Sequence, residues 1–477
     1  MSSFYVENFG CRATQADGAA IERQFQEQGL DRAPERAAAQ FVVLNTCAVT
    51  ASAEQDARAA IRRIQRENPA CEVIVTGCYA QRAPIEVANL PGVALVVGNS
   101  HKHNLAQIVL GRQSEKNSNH QDSFVPITTL GATKCDSIFV SDIFAHTELI
   151  AAPVFDSANE RTRPNLKVQD GCNNRCSFCI IPSLRGRSRS LKLDEVLKEV
   201  NQLVDAGYRE VVISGINLGQ WGRDLQVWGG PALSVVEQGP RPPRLADLIR
   251  VILDHTSLEK LRISSVEPMD WTDSFIKLMA ESPRIAQHAH VPMQSGSDTV
   301  LRRMHRRYRP GHYREKIEKI RAAMPGAAIG ADVMTGFPGE TDTEFEQTRR
   351  MIEDLPFTYL HVFTFSPRPG TPAADMPNQV PVAVARERNR ILRELAAEKK
   401  NRFMHSFVGQ SLEAITLNVI SETSDEKSEG PWTDALTDNY LKLRLNGRHE
   451  PNHWMSVNVL HAAEGQLVGT SDPFHRC

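Results

Sequence analysis

The feature that most constrains this chain is a short segment with three cysteines in eight residues, Cys172, Cys176 and Cys179. It follows an apolar run, residues 166–168, and a polar turn, residues 169–171, so we expect a loop that leaves a β-strand. Such a loop turns three sulfur atoms toward one centre, and thiolates suit soft metals and iron–sulfur clusters. A cubane cluster usually takes four cysteines, so three would leave one iron open. A zinc site and a group of unliganded thiols are the alternatives.

The overall composition is that of a globular protein with a large core and about two to four domains. Of the 477 residues, 41% are hydrophobic and 23% are charged. The sequence lacks a run of about 18 apolar residues, and its start lacks the features of a signal peptide, so we predict a cytoplasmic location. Because the formal net charge is −2, any contact with nucleic acid must rely on local patches. In a reducing compartment, the nine cysteines are better suited to ligand or catalytic roles than to disulfides.

Three cysteines near the start of the chain share one setting. Cys11, Cys47 and Cys78 each follow a short β-rich run and precede a helical pattern. This alternation predicts a doubly wound parallel α/β domain over residues 1–112. Loops at the carboxyl ends of the strands form the ligand crevice of such sheets, so we expect a second three-thiolate site there. For each cysteine alone, a buried small hydrophobic residue is the alternative; Cys71, at the start of the same strand that Cys78 ends, should be such a structural thiol.

The rest of the chain divides into three segments. Residues 113–160 have the polar, irregular composition of a linker. In residues 161–405, six strand-like runs alternate with helices, which predicts a partial (β/α)6 barrel with its chemistry at the carboxyl ends of the strands. Polar residues gather at those ends and indicate a substrate cavity. Residues 222–243 are interpreted as a loop insertion without assigned chemistry. Residues 409–472 carry short strands at 412–419, 440–445 and 455–460 and predict a small all-β barrel.

Charge is unevenly distributed between these segments. Arg302, Arg303, Arg306 and Arg307 form a basic cluster, which predicts a phosphate-binding surface for RNA. The predicted all-β barrel is acidic, with nine acidic and four basic residues over 410–470. A barrel that anchors RNA electrostatically would be more basic, so we expect the main contact with RNA elsewhere.

These motifs together resemble the radical S-adenosylmethionine (SAM) methylthiotransferase family over nearly the whole chain. The CxxxCxxC loop is similar to the radical-SAM signature, and the family also has three N-terminal cysteines and a C-terminal TRAM domain. Several stretches resemble the branch that acts on N6-threonylcarbamoyladenosine (t6A) at position 37 of tRNA. They are residues 45–50, 77–81, 169–174, 185–190, 304–308 and 366–371.

The resemblance implies an enzyme, a tRNA (t6A37-C2)-methylthiotransferase that forms 2-methylthio-t6A37. It implies two [4Fe–4S] clusters, the radical-SAM cluster on Cys172, Cys176 and Cys179 and an auxiliary cluster on Cys11, Cys47 and Cys78. SAM would be both the radical source and the methyl donor. The implied partners are the tRNA anticodon loop, an electron donor and a sulfur source, without a membrane, and we expect a monomer.

Contacts with SAM are expected near the strand ends of the central barrel. The candidates are Gly215, Ser264, Glu267, Gln294, Ser295 and Gly336. Two alternatives for the function stay open. One is the same chemistry on isopentenyl-adenosine at position 37 of tRNA or on a ribosomal protein, and the other is a non-catalytic zinc or iron–sulfur protein that binds RNA.

Overall fold

The computed structural model describes residues 2–118, 137–146, 149, 162–225, 241–421 and 431–471. Cys135, Cys477 and most of the predicted insertion lie outside these residues. The chain divides into two compact units, each described here by itself. The first comprises Met1–Val154, Gln169–Asn174 and Cys179–Leu191, and the second comprises Phe155–Val168, Arg175–Phe178 and Lys192–Cys477.

The first unit is built on a parallel six-stranded sheet with the order β2-β1-β3-β4-β5-β6. The strands are β1 (Ser3–Asn8), β2 (Asp31–Arg32), β3 (Phe41–Thr46), β4 (Glu72–Gly77), β5 (Val93–Gly98) and β6 (Ile138–Phe139). The helices are α1 (Arg12–Glu27), α2 (Ala51–Glu67), α3 (Cys78–Arg82), α4 (Pro84–Ala88) and α5 (Leu105–Ser118). The predicted parallel α/β architecture is confirmed.

Two hydrophobic layers cover the two faces of this sheet. Along β3, Phe41 and Val43 join one cluster with residues of α1 and α5, while Val42 and Leu44 join another with residues of α2, α3 and α4. Successive side chains of a strand point to opposite faces, so the sheet is buried on both sides. The fold is therefore doubly wound. With both faces of the sheet covered, the carboxyl ends of its strands are the place where polar side chains can gather.

The cysteine loop follows β7 (Asn165–Asp170), and after it come α6 (Ile181–Arg185) and β8 (Arg189–Ser190). The last two residues of β7 pair antiparallel with β8, Gln169 with Ser190 and Asp170 with Arg189. The loop is thus held between two short paired segments at its base.

The core of the second unit has the predicted alternation of strands and helices. Its further strands are β9 (Glu210–Gly215), β10 (Lys260–Ile263), β11 (His288–His290), β12 (Ala328–Thr335) and β13 (Tyr359–Thr364). Its helices are α7 (Leu193–Asp205), α8 (Leu245–His255), α9 (Asp273–Glu281), α10 (Asp298–Arg303), α11 (Pro310–Ala323), α12 (Asp342–Asp354) and α13 (Val382–His405). β7, β9 and β10 are consecutive in one sheet and β11, β12 and β13 in another. A parallel bridge between Leu261 and Ile285 joins the two sheets, as in a partial (β/α)6 barrel.

A closed five-stranded barrel ends the described chain. Its strands are β14 (Ser411–Ser421), β15 (Trp432–Thr437), β16 (Lys442–Asn446), β17 (Trp454–Ala463) and β18 (Gln466–Ser471), in the order β14-β15-β16-β18-β17. Met404 and Phe407, at the end of α13, pack into its core with Leu443 and Val457. This confirms the predicted all-β module, although β15 and β18 were not predicted. In the described part of the chain, every helix is too short or too polar to cross a membrane.

Candidate active site

The three N-terminal cysteines lie at the carboxyl ends of neighbouring strands in the first unit. Cys11 is the N-cap residue of α1, Cys47 follows β3 directly, and Cys78 begins α3 directly after β4. The strands β1, β3 and β4 are adjacent and in register, with Asn8 opposite Asn45 and Asn45 opposite Thr76. The tertiary structure therefore brings the three residues to one edge of the sheet. Cys71 precedes β4 and lies at the start of that strand, as expected for a structural thiol.

The surroundings of these thiols suit an iron–sulfur cluster. Burial and then the nearby Cys78 thiol raise the pKa of Cys47 to about 11, with a smaller contribution from Cys11, so this side chain becomes a thiolate only when a bound metal displaces its proton. A Cβ on Gly10, which has φ +107°, would lie 2.7 Å from Cβ of Cys47, so only glycine fits beside that thiol. The amide of Asn99 donates to Sγ of Cys78 at 3.6 Å, an N–H···S contact that favours a thiolate ligand.

A buried network of charges lies beside the auxiliary cysteines. Nη2 of Arg185 donates to Oδ2 of Asp17 at 2.9 Å, and its Nη1 donates to both carboxylate oxygens of Asp170 at 3.0 Å. Lys102 also contacts Oδ2 of Asp17 at 2.9 Å. Burial alone would lower the pKa of Arg185, but Asp17 and Asp170 outweigh it, and the thiols of Cys78 and Cys11 act in the same direction. Arg185 therefore stays cationic, and its interactions involve both carboxylates and, more weakly, the nearby thiols.

The base of the CxxxCxxC loop belongs to the first unit and is fixed by its backbone. The N–H of Cys172 donates to the carbonyl of Gly186 at 3.1 Å. Gly171 has φ +71°, and a Cβ there would lie 2.0 Å from the carbonyl oxygen of Arg187. The N–H of Asn174 donates to Sγ of Cys172 at 3.4 Å, a second contact of the kind that supports a thiolate.

The middle of the loop belongs to the second unit, where the end of α10 holds it. The N–H of Ser177 donates to the carbonyl of Met304 at 3.1 Å, and its hydroxyl donates to the carbonyl of Arg303 at 2.7 Å. Nη1 of Arg306 donates to Sγ of Cys176 at 3.3 Å. The side chain of Arg306 is only 5% exposed, and it also pairs with Glu267. A guanidinium beside the sulfur is a suitable environment for a cluster ligand.

The contact between Arg306 and Cys176 leads to a prediction about reduction. A hydrogen bond to a charged group contributes about 1.5–3 kcal/mol, which corresponds to about 65–130 mV for a one-electron couple. We expect Arg306→Gln to lower the midpoint potential of a cluster held by this loop by up to about 130 mV, because the reduced, more negative cluster loses more stabilisation than the oxidised one. Redox titration followed by electron paramagnetic resonance would measure the shift.

Two further variants distinguish the loss of the positive charge from a general loss of structure. Arg306→Lys should recover part of the potential, since it keeps the positive charge. Arg307→Gln, at the exposed neighbouring position, should leave the potential unchanged. An unchanged potential in Arg306→Gln would mean that this contact does not tune the cluster.

The six candidate SAM contacts are placed at or near the strand ends of the second unit, but in different environments. Gln294 has φ +62°, and its buried Oε1 has no hydrogen-bond partner in the described part of the chain. Glu267 is partly exposed and pairs with Arg306, and Gly215 and Ser264 are partly exposed as well. In contrast, Ser295 is fully buried against Thr348.

Gly336 is placed by a turn. It has φ +75°, and a Cβ there would lie 2.4 Å from Cβ of Ala385. Its N–H donates to Oε1 of Glu340 at 3.0 Å, and Glu340 also pairs with Arg388 at 2.6 Å. The packing of β12 against α13 therefore accounts for this glycine.

The predicted RNA-binding surface needs a correction at Arg306. This side chain is buried and engaged by Cys176 and Glu267, so it cannot belong to a surface that binds RNA. Arg302 is 64% exposed beside Asp298, Arg303 pairs with Glu344, and Arg307 is exposed. For these three residues the role in RNA binding stays a prediction.

Asp17, Lys102, Asp170 and Arg185 connect the cysteine region to the fold, and local sequence patterns did not indicate them as a group. Asp170 and Arg185 lie in the stretches 169–174 and 185–190 that resemble the family. The pairing itself joins residues far apart in the chain, for example Asp17 and Arg185.

Comparison with family models gives two matches. The radical SAM superfamily matches residues 166–352, and a family described as uncharacterized protein family UPF0004 matches residues 3–98. Radical SAM enzymes use SAM and a [4Fe–4S] cluster, and the donors around Cys172 and Cys176 fit such a cluster.

Curated relatives match over nearly the whole chain. The threonylcarbamoyladenosine tRNA methylthiotransferase MtaB of Bacillus subtilis (strain 168) is 35% identical over 473 residues, covering 98% of this chain and 97% of the relative. The protein of the same description from Rickettsia prowazekii (strain Madrid E) is 34% identical, covering 99% and 96%. The tRNA-2-methylthio-N(6)-dimethylallyladenosine synthase 1 of Mycobacterium marinum is 32% identical, covering 98% of this chain and 85% of the relative.

Solved structures support the fold. The radical SAM methyltransferase TsrM from Kitasatospora setae, with tryptophan and a SAM analogue bound, has a TM-score of 0.54 at 14% identity, covering 78% of this chain and 75% of TsrM. At that identity the likeness concerns the fold alone. The near full-length curated relatives show the family: the chain belongs to the radical SAM methylthiotransferase family, in its threonylcarbamoyladenosine branch.

Proposed function

We propose that this enzyme converts t6A at position 37 of tRNA to 2-methylthio-t6A. The observation that carries the proposal is the similarity over nearly the whole chain to curated threonylcarbamoyladenosine tRNA methylthiotransferases, at 33–35% identity. Two cysteine triads, one on the sheet edge of the first unit and one on the loop after β7, agree with this chemistry. Methylthiolation also requires the transfer of a sulfur atom, and we assign that step to the triad on the sheet edge.

Each triad has a separate part in the proposal. Cys172, Cys176 and Cys179 would hold the radical-SAM cluster, and Cys11, Cys47 and Cys78 would hold an auxiliary [4Fe–4S] cluster. When bound, the first would supply the electron that cleaves SAM and the second would present the sulfur that is transferred. Two features of the chain support the auxiliary site. They are the common position of its thiols at strand ends and the cationic Arg185 beside them.

The protein side chains bind and orient the substrates. Gln294 can hydrogen-bond SAM through its unsatisfied Oε1, and Glu267, held by Arg306, can orient its polar groups. A modified adenine must leave the stacked anticodon loop to reach a buried site. Arg302, Arg303 and Arg307 are the candidates for phosphate contacts that position the loop.

Several assignments accompany this function as proposals. The sequence-based domain ranges are residues 1–112 for the N-terminal methylthiotransferase domain, 113–160 for the linker, 161–405 for the radical SAM core and 409–472 for the TRAM domain. The end of α5 and the strand β6 fall in the range assigned to the linker but belong to the first unit, so that unit extends beyond residue 112. Cytoplasmic location, a monomeric state, an external electron donor and a sulfur source complete the proposal.

A nucleoside profile tests both the substrate and the auxiliary triad. In a host that lacks its own enzyme of this kind, the wild-type gene should restore 2-methylthio-t6A, measured by mass spectrometry of digested tRNA. The Cys11/Cys47/Cys78→Ala variant should restore none, because the sulfur-delivering site is lost, while the purified variant still cleaves SAM. Cys71→Ala is the matched control and should behave as wild type, since this thiol lies away from the triad.

The same profile decides between the candidate substrates. The 32% identity with the Mycobacterium marinum synthase makes dimethylallyl-adenosine the competing substrate. Formation of methylthiolated dimethylallyl-adenosine, with t6A unchanged, would refute the proposal. Methylthiolation of a ribosomal protein with both nucleosides unchanged would also refute it.

A further inference from the structure

We propose that His290, Asp332 and His361 form a binding site for a divalent transition-metal ion that shares no residue with either cysteine triad. The three residues lie on β11, β12 and β13, which are neighbouring parallel strands of one sheet in the second unit. Two imidazoles and one carboxylate suit zinc and similar first-row ions. Metal binding at these three residues would require neither the iron–sulfur clusters nor the reaction on tRNA.

Strand register places the three side chains on one face of the sheet. Asp332 is directly opposite His361, and His290 is opposite Gly330, two residues before Asp332. Residues two apart on a strand share a face, so His290 and Asp332 point the same way. Gly330 leaves space on that face for the ring of Tyr359, which a Cβ at this position would meet at 2.0 Å.

The distances between the polar atoms are short enough for shared coordination. Nε2 of His290 lies 3.4 Å from Oδ1 of Asp332, and Nδ1 of His361 lies 3.3 Å from the same oxygen. All three ligand atoms lie within 4.8 Å of one another, and this is the group of three with that property among the described residues. A zinc ion with bonds of about 2.0–2.2 Å fits between them.

The environment of His290 points independently to a ligand. Its Nδ1 is 2.6 Å from the hydroxyl of Ser265, which leaves Nε2 to face Asp332 and His361. Nε2 is buried, and among the described residues it makes no hydrogen bond of good geometry; the Asp332 carboxylate faces it at 3.4 Å, within ion-pair range. Metal-binding histidines are typically oriented by a hydrogen bond to the other ring nitrogen, and the Ser265 contact has that form.

One side of the site is open. The side chain of His361 is 63% exposed. His361 also lines a cavity of about 490 Å³, together with Tyr359 and with residues of the C-terminal barrel such as Tyr440. Three protein ligands with an accessible side leave coordination positions for water or an oxygen donor, unlike a closed structural zinc site.

Zinc uptake by the intact, cluster-loaded protein tests the site. The anaerobic holoprotein would be equilibrated with Zn²⁺ at about micromolar free concentration, passed through a desalting column, and analysed for zinc and iron by mass spectrometry. We expect one zinc per chain with the iron content unchanged. His361→Ala and Asp332→Asn should each weaken zinc binding by about 100-fold or more, because each removes one of three ligands.

The control is His405→Ala, at an exposed histidine on the last turn of α13, which should bind zinc as wild type does. Cluster absorbance checks that each variant is folded. If His361→Ala does not fold, Asp332→Asn still tests the site, because asparagine has nearly the same shape as aspartate. Three results would overturn the proposal: no zinc uptake by wild type, zinc uptake by both ligand variants equal to that of wild type, or uptake accompanied by loss of iron, which would place the zinc on cysteine thiols.

Discussion

The Cys172/Cys176/Cys179→Ala variant is expected to lose cleavage of SAM under dithionite completely. Anaerobic reconstitution should give about four irons per chain, compared with about eight in wild type, because one of two four-iron clusters loses its ligands. The loss is complete because no other described group can replace three thiolates on one loop. Iron analysis and chromatography of 5′-deoxyadenosine measure the two effects.

The matched comparison is the Cys11/Cys47/Cys78→Ala variant, which should lose a similar amount of iron but keep SAM cleavage. The two triple variants thus have the same iron content and opposite cleavage activity. If the first variant still cleaved SAM, the assignment of the radical chemistry to this loop would be wrong. Equal loss of cleavage in both would contradict the separate roles of the triads.

Replacement of Arg185 is expected to have the largest effect on stability. Its side chain is 2% exposed and pairs with Asp17 and Asp170. Arg185→Met would leave two buried carboxylates with fewer partners, and breaking a buried ion pair costs about 3–5 kcal/mol. Unfolding in urea would be measured under anaerobic conditions. For the transition that includes the first unit, the free energy of unfolding should fall by about 3–5 kcal/mol.

Arg350→Met provides the control for the same substitution at a surface. Arg350 is 71% exposed and pairs with Glu346 within α12, so its loss should cost about 0–1 kcal/mol. In an Arg185→Met background, Asp170→Asn should restore part of the stability, because it removes one of the unpaired charges. A small effect of Arg185→Met, similar to that of Arg350→Met, would show that the buried network contributes little to stability.

Local patterns correctly predicted the elements that carry the cysteines. Each predicted run before Cys11, Cys47 and Cys78 is a strand, and each helix pattern after Cys11 and Cys47 is a helix, α1 and α2. Alternation between apolar strands and amphipathic helices is a short-range signal, and the carboxyl-edge rule for parallel sheets then places the thiols together. In the C-terminal barrel, β15 and β18 were missed because their short alternating patterns are weak when read alone.

The prediction for Arg306 failed for a local geometric reason. α10 ends at Arg303, and His305 follows in a left-handed conformation with φ +56°. The N–H of Arg306 then donates to the carbonyl of Leu301 at 2.9 Å, as in a Schellman motif. This turn separates Arg306 from the exposed arginines on either side and directs it inward to Cys176. Charge clustering along the sequence does not reveal such a reversal.

The sequence by itself determined the chemistry that the chain can carry and the order of its parts. Three thiols in one loop, three more at strand ends, and the alternation of strands and helices are properties of short segments. Only the tertiary structure decided which distant residues meet. Asp17 reaches Arg185, and His290, Asp332 and His361 share a face, because strand register and close packing join segments that local patterns describe separately.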